Sequence, residues 1–303
     1  MAELPAEIRE RLTGAGLDPA VVARVIRTAL AEDLDGGSDV TTVATIGAQA
    51  LGRADVVARD PGIVAGLVVA EAVFSVIGGD DSREGIQRVS VRHCAADGDR
   101  VQAKQVLMTV SGPLRAILTA ERTALNLLGH MSGIATLTGL WADAVAGTGA
   151  RIRDTRKTLP GLRVLEKYAV RCGGGVNHRM SLWDAALIKD NHVAAAGSVT
   201  AALDAVGKLA PDLPVEVECD TVQQVEEAVA AGAGLILLDN FSVGQLAEAV
   251  AVNGGRARLE ASGGLRLEVA GAVAATGVDF LAVGALTHSA AVLDIGLDLV
   301  QAG

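Results

Sequence analysis

The chain has 303 residues, half of them hydrophobic, and a formal net charge of −10. That length fits two domains or one large α/β barrel with an extension, and the apolar half is enough for a sizeable core. The acidic balance argues against nucleic acid as a general partner, and the three widely spaced cysteines, Cys94, Cys172 and Cys219, support neither a disulfide framework nor a zinc knuckle.

The first residues, MAELPAEIRERL, are charged and carry no apolar h-region, so no signal peptide is expected. No apolar stretch reaches the roughly 18 residues that a membrane helix needs. Reduced thiols and a cytoplasmic location follow as expectations. Residues 1–34 read as helix, with apolar positions at Val21, Val22, Val25 and Ile26 and Pro19 near the start. Between 38 and 112 the pattern changes. Alternation in ADVVAR, a turn at Asp60-Pro61-Gly62, and the runs RVSVRH and VLMTVSG predict short antiparallel strands, interrupted by a helix at LVVAEAVFSVI. This is an α+β domain, placed at 1–130. From Thr119 a long helix is expected, with Leu118, Leu125 and Leu128 on its buried stripe and Glu121 and Arg122 on the same side. A charge in an apolar stripe is expensive unless paired, so Arg122 is either an internal partner or aimed at a ligand.

After residue 150, apolar segments recur at 151–155, 185–190, 214–219, 235–239, 257–262 and 279–284, with helical segments between several of them. Strands alternating with helices predict a parallel sheet, closed or nearly closed into an α/β barrel over 131–286. A doubly wound open sheet is the alternative. It would usually bring a G-x-G-x-x-G turn or a phosphate-binding loop of the G-x-x-x-x-G-K type, and neither is present. Charge is uneven: residues 151–189 hold nine Lys/Arg against three Asp/Glu, and residues 210–303 hold three against thirteen. A basic and an acidic segment in one fold suggest an anionic ligand held by cations, with a metal held by carboxylates; plain surface variation is the bland account.

Barrel sites lie at the C-terminal ends of the strands. Those ends read Asp154, Thr155, Arg156 and Lys157, then Lys189 and Asp190, Glu218, Asp239, Glu260 with Ser262, and Gly284. Arg156, Lys157, His178, Arg179 and Lys189 suit an anion with more than one carboxylate. A lone His178 is as readily structural. Lys167 and Arg171 are expected to serve a helix at 161–171, on a solvated face or near its end. Glu218 and Asp239 suit sugar hydroxyls or Mg²⁺. Ser262-Gly263-Gly264 and Gly284-Ala285 follow late strands, where barrels often grip a phosphate. The other histidines show no zinc-ligand spacing.

The blocks DTRKT (154–158), PGLR (160–163), KYAV (167–170), GGG-x-x-HR (173–179) and LIKDNH (187–192) together resemble the quinolinate phosphoribosyltransferase family. ERTALN (121–126), SGIAT (132–136), LLDN (237–240), EASGG (260–264) and VGALTHS (283–289) extend the resemblance over most of the chain beyond about residue 30. It implies an N-terminal open-faced α/β sandwich plus a C-terminal incomplete parallel α/β barrel, with residues 287–303 free to pack back on the first domain. It implies a homodimer with Arg122 contributed across the interface. Carried over, Arg122, Thr155, Arg156, Lys157, His178, Arg179 and Lys189 hold quinolinate. Glu218, Asp239, Ser262, Gly263, Gly264, Gly284 and Ala285 hold phosphoribosyl pyrophosphate. Glu218 and Asp239 also hold Mg²⁺, and Lys157, Lys189, Glu218 and Asp239 are the catalytic set. The implied reaction gives nicotinate mononucleotide, CO₂ and pyrophosphate. The rivals are a molybdenum-transport-associated paralogue of the same fold, an aldolase-type barrel with a Schiff base on Lys189, and a non-catalytic anion-binding protein.

Overall fold

The computed structural model describes residues 4–78 and 88–300. The first three positions of the expected N-terminal helix and the last three of the expected tail lie outside the described residues. In chain order the elements are α1 (Ala6–Gly14), α2 (Pro19–Leu34), α3 (Val40–Thr45), β1 (Leu51–Ala58), β2 (Gly62–Ile63), α4 (Leu67–Gly78), β3 (Ser90–His93), β4 (Arg100–Val101), β5 (Val106–Pro113) and α5 (Leu114–Ala144). Then come β6 (Arg151–Arg153), α6 (Arg163–Cys172), β7 (Ala186–Ile188), α7 (Asp190–Ala196), α8 (Val199–Leu209), β8 (Val215–Cys219), α9 (Val222–Ala230) and β9 (Leu235–Asp239). The chain ends with α10 (Val243–Asn253), β10 (Arg258–Ser262), α11 (Leu267–Ala274), β11 (Phe280–Ala282), α12 (Ala285–His288) and β12 (Ile295–Leu299). Among the described residues no helix is long and apolar enough to cross a membrane.

The N-terminal helix expected over 1–34 is two helices. Asp18 ends the first stretch by capping the second: its carboxylate accepts the Ala20 N–H at 2.8 Å, and Pro19 follows at the first helical position, where a missing N–H costs nothing. Two compact units form. One comprises the described residues of 1–137, 159–173 and 289–303, the other residues 138–158 and 174–288.

In the first unit the sheet runs β12-β1-β5-β3, antiparallel throughout. Strand alternation sorts its two faces. Ala54, Val56, Met108 and Val110 are buried. Arg53, Asp55, Thr109 and Ser111 share the other face, so one side carries apolar packing and the other is polar, the pattern of an open-faced α/β sandwich. β12 enters this sheet beside β1, and Arg59 grips Asp298 through two hydrogen bonds of 2.9 and 2.6 Å. The segment before it lies so close to α5 that a Cβ on Gly133 would sit 2.0 Å from the Ala291 carbonyl oxygen.

Two expectations for this unit need correction. Leu125 and Leu128 are buried as expected, but the buried stripe of α5 centres on Ile117, Ala120, Ala124, Leu128 and Met131, while Leu118 is half-buried and Arg122 is exposed. At 100° per residue Arg122 falls on the far side of that stripe, so it is not a charge in an apolar face. Lys167, expected on a solvated face, is fully buried in α6 beside the equally buried Glu166. Glu166 accepts the Leu159 N–H and lies 3.0 Å from His130 Nε2. Arg171 is exposed and donates to the Ala15 carbonyl at 3.0 Å.

In the second unit all ladders are parallel and the order is β6-β11-β10-β9-β8-β7. Strands β7 to β11 follow one another without a reversal, and β6, the first in sequence, joins beyond the last. An open doubly wound sheet would reverse its strand order within the sheet; this order belongs to a ring. No ladder joins β6 to β7 among the described residues, so the ring is an incomplete parallel α/β barrel. Helices restart after the strands on side-chain caps, including Thr221 with Gln224 and Ser242 with Gln245.

Candidate active site

Alternation along each barrel strand sends every second residue to the same face. Leu187 and Lys189, Glu216 and Glu218, Leu237 and Asp239, Glu260 and Ser262 are such pairs, at and just past the ends of four neighbouring strands. The upper members, with the loop after β6 and the turn at 178–179, enclose a cavity of about 390 Å³. Its walls include Thr155, Arg156, Lys157, His178, Arg179 and Lys189 with Glu218, Asp239 and Ser262. Cations from the early loops and carboxylates from the later strands therefore meet in one space.

The Thr155 hydroxyl accepts the Lys157 N–H at 3.0 Å, and the Lys157 carbonyl accepts the Thr287 hydroxyl at 2.8 Å, which fixes the loop after β6 from both sides. Arg156 Nε is buried and makes no hydrogen bond. Arg179 donates from Nη1 to the Ala185 carbonyl at 3.0 Å. Burial first, and the Arg156 cation second, pull the Arg179 pKa below the ordinary guanidinium value. Two half-buried guanidiniums side by side repel each other and suit a ligand that brings more than one negative charge. Lys189 follows β7 directly and caps α7, its N–H donated to His192 Nδ1 at 2.9 Å and its ammonium paired with Glu218. Asp239 is held through Oδ2 by the Asn240 amide at 2.6 Å.

The glycines behave differently from one another. Gly263 and Gly264 both have positive φ, at 91° and 57°. A Cβ on Gly263 would lie 2.2 Å from Asn240 Oδ1, so the neighbouring β9 loop alone requires glycine there. Gly284 abuts Lys157, whose Cδ would be 3.0 Å from a Cβ at that position, and Ala285 opens α12. Arg122 belongs to the other compact unit.

Asp154 and Glu260, named at strand ends, take supporting roles, and Arg153, Asn177 and Glu216 join them without having been expected there. Asp154 is fully buried, accepting the His178 N–H at 2.8 Å and the Asn177 amide at 2.5 Å. At the cavity floor, which Glu260 and His178 line, Arg153 donates to Glu260 at 2.6 Å, and His178 Nε2 lies 2.9 Å from Glu216. Burial, reinforced by the Glu216 carboxylate, pushes Glu260 well above the carboxylate range. Glutamates at alternate positions of VEVEC were the available hint, since a strand buried on both faces should be apolar throughout.

The family model described as "Quinolinate phosphoribosyl transferase, C-terminal domain" matches residues 134–298, and its N-terminal counterpart matches residues 39–132. The nicotinate-nucleotide pyrophosphorylase (carboxylating) of Mycobacterium leprae is 57% identical over 277 residues, 90% of this chain and 95% of that one. The probable enzyme of the same name from Bacillus subtilis is 40% identical, over 88% of this chain and 90% of its own. The solved nicotinate-nucleotide pyrophosphorylase of Francisella tularensis superposes with a TM-score of 0.86 at 36% identity, covering 93% of this chain and 96% of its own.

Proposed function

The chain belongs to the quinolinate phosphoribosyltransferase family, and from that premise we propose how its cavity carries out the family's reaction. The enzyme is a pentosyltransferase of de novo NAD biosynthesis. It transfers phosphoribosyl from phosphoribosyl pyrophosphate to quinolinate with decarboxylation, giving nicotinate mononucleotide, CO₂ and pyrophosphate.

The observation that carries the assignment of roles is the pairing of Arg156 and Arg179 in one cavity with Glu218 and Asp239. Quinolinate is a ring with two adjacent carboxylates. Arg156, with its uncommitted Nε, Arg179, Lys157 and Lys189 bind those carboxylates and orient the ring nitrogen. Thr155 holds the loop that presents two of these cations. Glu218 and Asp239 face the ribose. Their oxygens are hard donors on neighbouring strands and fit Mg²⁺ shared with substrate oxygens. That ion, when bound, would offset charge on the departing pyrophosphate. Ser262, Gly263, Gly264, Gly284 and Ala285 lie along the loops that would take the 5′-phosphate.

The ring nitrogen attacks the anomeric carbon as the carbon–oxygen bond to pyrophosphate breaks, and the bonding pair leaves with pyrophosphate. The new pyridinium then accepts the pair left at C2 when that carboxylate departs as CO₂, and C2 takes a proton. Lys157 and Lys189 stabilise charge in these steps. Lys189 and Glu218 are paired with each other in the structure, so substrate binding exchanges this contact for one with each substrate.

The same reading makes the protein a cytoplasmic homodimer. Exposed Arg122 completes the quinolinate pocket of the partner subunit. Mixing Arg122→Ala with Lys189→Ala protein should restore part of the activity through hybrid dimers; failure with subunit exchange confirmed would remove the shared site. The assignment as a whole is tested by CO₂ release from carboxyl-labelled quinolinate. Release that requires phosphoribosyl pyrophosphate is expected; none with it present would overturn the reading.

A further inference from the structure

At the floor of the cavity, which Glu260 and His178 line, the inward face of the barrel carries a buried layer of charge that the steps above do not use. Arg153 lies two residues before Thr155, Glu216 two before Glu218, and Glu260 two before Ser262. Barrel interiors are ordinarily filled with layers of branched apolar side chains. Here Glu260 and Glu216 are 0% and 3% exposed, and His178 is 8% exposed. Arg153 donates to Glu260 Oε2 at 2.6 Å, lies 3.9 Å from Glu216 Oε2, and covers the Phe280 ring at 4.9 Å. One oxygen of each glutamate, Oε1 in both cases, is buried without a hydrogen bond. Arg153 already supplies the cation among these carboxylates, which disfavours a metal ion there.

His178 joins this layer to the pocket wall, and both of its ring nitrogens are committed. Nδ1 accepts the backbone N–H of Arg179 at 2.7 Å. A nitrogen that accepts carries no proton, so the hydrogen-bond network assigns the ring proton to Nε2, which donates it to Glu216 Oε2 at 2.9 Å. The backbone beneath is fixed as well. Asp154 holds the His178 N–H at 2.8 Å and the Asn177 amide at 2.5 Å, and Arg153 Nε donates to the Asn177 carbonyl at 3.5 Å.

We propose that His178 is a positioning residue and not a ligand of quinolinate: it links the buried Arg153–Glu260–Glu216 layer to the backbone of Arg179 and so sets the direction of that guanidinium. The ring has no N–H left over for a substrate carboxylate. This replaces the role expected for His178 from the family resemblance. The substrate named here rests on the proposed function; the arrangement of protons and hydrogen bonds does not. A partner of this kind fixes the tautomer and the orientation of the group it holds.

The test has two arms. Ring-¹⁵N-labelled histidine in the intact protein, with the His178 signals identified by their loss in His178→Asn, should show Nδ1 unprotonated and Nε2 protonated without ligand. Saturating quinolinate should leave the proton where it is. A proton on Nδ1, or transfer of the Nε2 proton contact from Glu216 to quinolinate, overturns the proposal, and the ligand-free spectrum does so whatever the enzyme's activity proves to be. In the second arm, Glu216→Gln and His178→Asn should each raise the KM for quinolinate on the order of tenfold, the scale of coupling within one network. The KM for phosphoribosyl pyrophosphate should hold, and the double variant should be no worse than either single one. In His178→Asn the shorter amide side chain can still accept from the Arg179 N–H but cannot reach Glu216. Additive losses, or a KM for quinolinate in Glu216→Gln unchanged in folded protein, would mean that His178 acts on the substrate by itself.

Discussion

The antiparallel sheet of the first unit and the parallel sheet of the second each place charged residues at alternate positions, with opposite physical consequences. Arg53 and Asp55 lie on the polar face of β1, 3.8 Å apart with 52% and 21% of their side chains exposed, and Asp55 accepts the Thr109 hydroxyl at 2.7 Å. Arg153 and Glu260 face the barrel interior, 2.6 Å apart with 15% and 0% exposed. Water screens the first pair, so its Coulomb energy is small and either partner can be lost cheaply. The second pair has given up its hydration and depends on its neighbours. The same alternation yields a tolerant surface in one sheet and a committed network in the other, and only the enclosed charges point to chemistry.

The sharpest break of this comparison is Arg153→Ala. It leaves two buried carboxylates without their cation, and breaking such a pair costs about 3–5 kcal/mol. Denaturant unfolding should show the loss, with part of it recovered in Arg153→Met/Glu260→Gln, where Glu216 is the one carboxylate left without the Arg153 cation. A loss below about 1 kcal/mol would mean that the interior layer is as well solvated as the open face. Next in size is Arg156→Ala, one layer higher. It removes a guanidinium whose Nε has no protein partner, so stability should hardly change. kcat/KM for quinolinate should fall by about two to three orders of magnitude, the scale for losing one preorganised charge-stabilising donor. Near-normal turnover would detach the cavity from the reaction.

The pH dependence separates the two sheets further. Glu260 is raised above the carboxylate range by burial and then by Glu216, against the pull of Arg153. A carboxyl with a raised folded-state pKa binds its proton more tightly when folded. Its contribution to stability is greatest below the unfolded carboxylate value and falls as pH rises through the folded value. One such proton gives a slope of at most about 1.4 kcal/mol per pH unit. Urea midpoints across neutral pH should therefore decline with rising pH, and Glu260→Gln should flatten the decline. An unchanged slope in that variant would place the titrating group elsewhere.

How far the sequence carried these conclusions follows from what each residue contacts. The six barrel strands and the charged residues at their ends were legible because a short apolar run bounded by charge is a local pattern, and the barrel rule says which end matters. Glu260 was legible as a strand-end residue, but its network with Glu216 was not, because both acquire meaning from Arg153 and His178, which are remote in sequence. Lys167 was misread because Glu-Lys on a short helix looks solvated until Glu166 is seen holding the Leu159 N–H and meeting His130. The phase of α5 was read only in part: Leu125 and Leu128 are buried as expected, but Ala120 and Ala124 complete the stripe, and counting half-buried Leu118 with the leucines shifted its centre toward Arg122. Arg122 then looked buried when it is exposed.

The smallest expected effect is the most direct check on the contrast between the sheets. Arg53→Ala removes an arginine from the same kind of alternating position as Arg153, with a carboxylate partner in each case. If position in the strand and presence of a partner decided the outcome, the two variants would cost alike. Exposure predicts otherwise: the Arg53–Asp55 pair is long at 3.8 Å and half in water, and Asp55 keeps its bond from Thr109. The loss should stay within about 0.5 kcal/mol and shrink further in added salt. The variant should retain turnover. A loss approaching that of Arg153→Ala would show that the polar face of the first sheet is enclosed in the working protein, and solvent screening would no longer distinguish the two sheets.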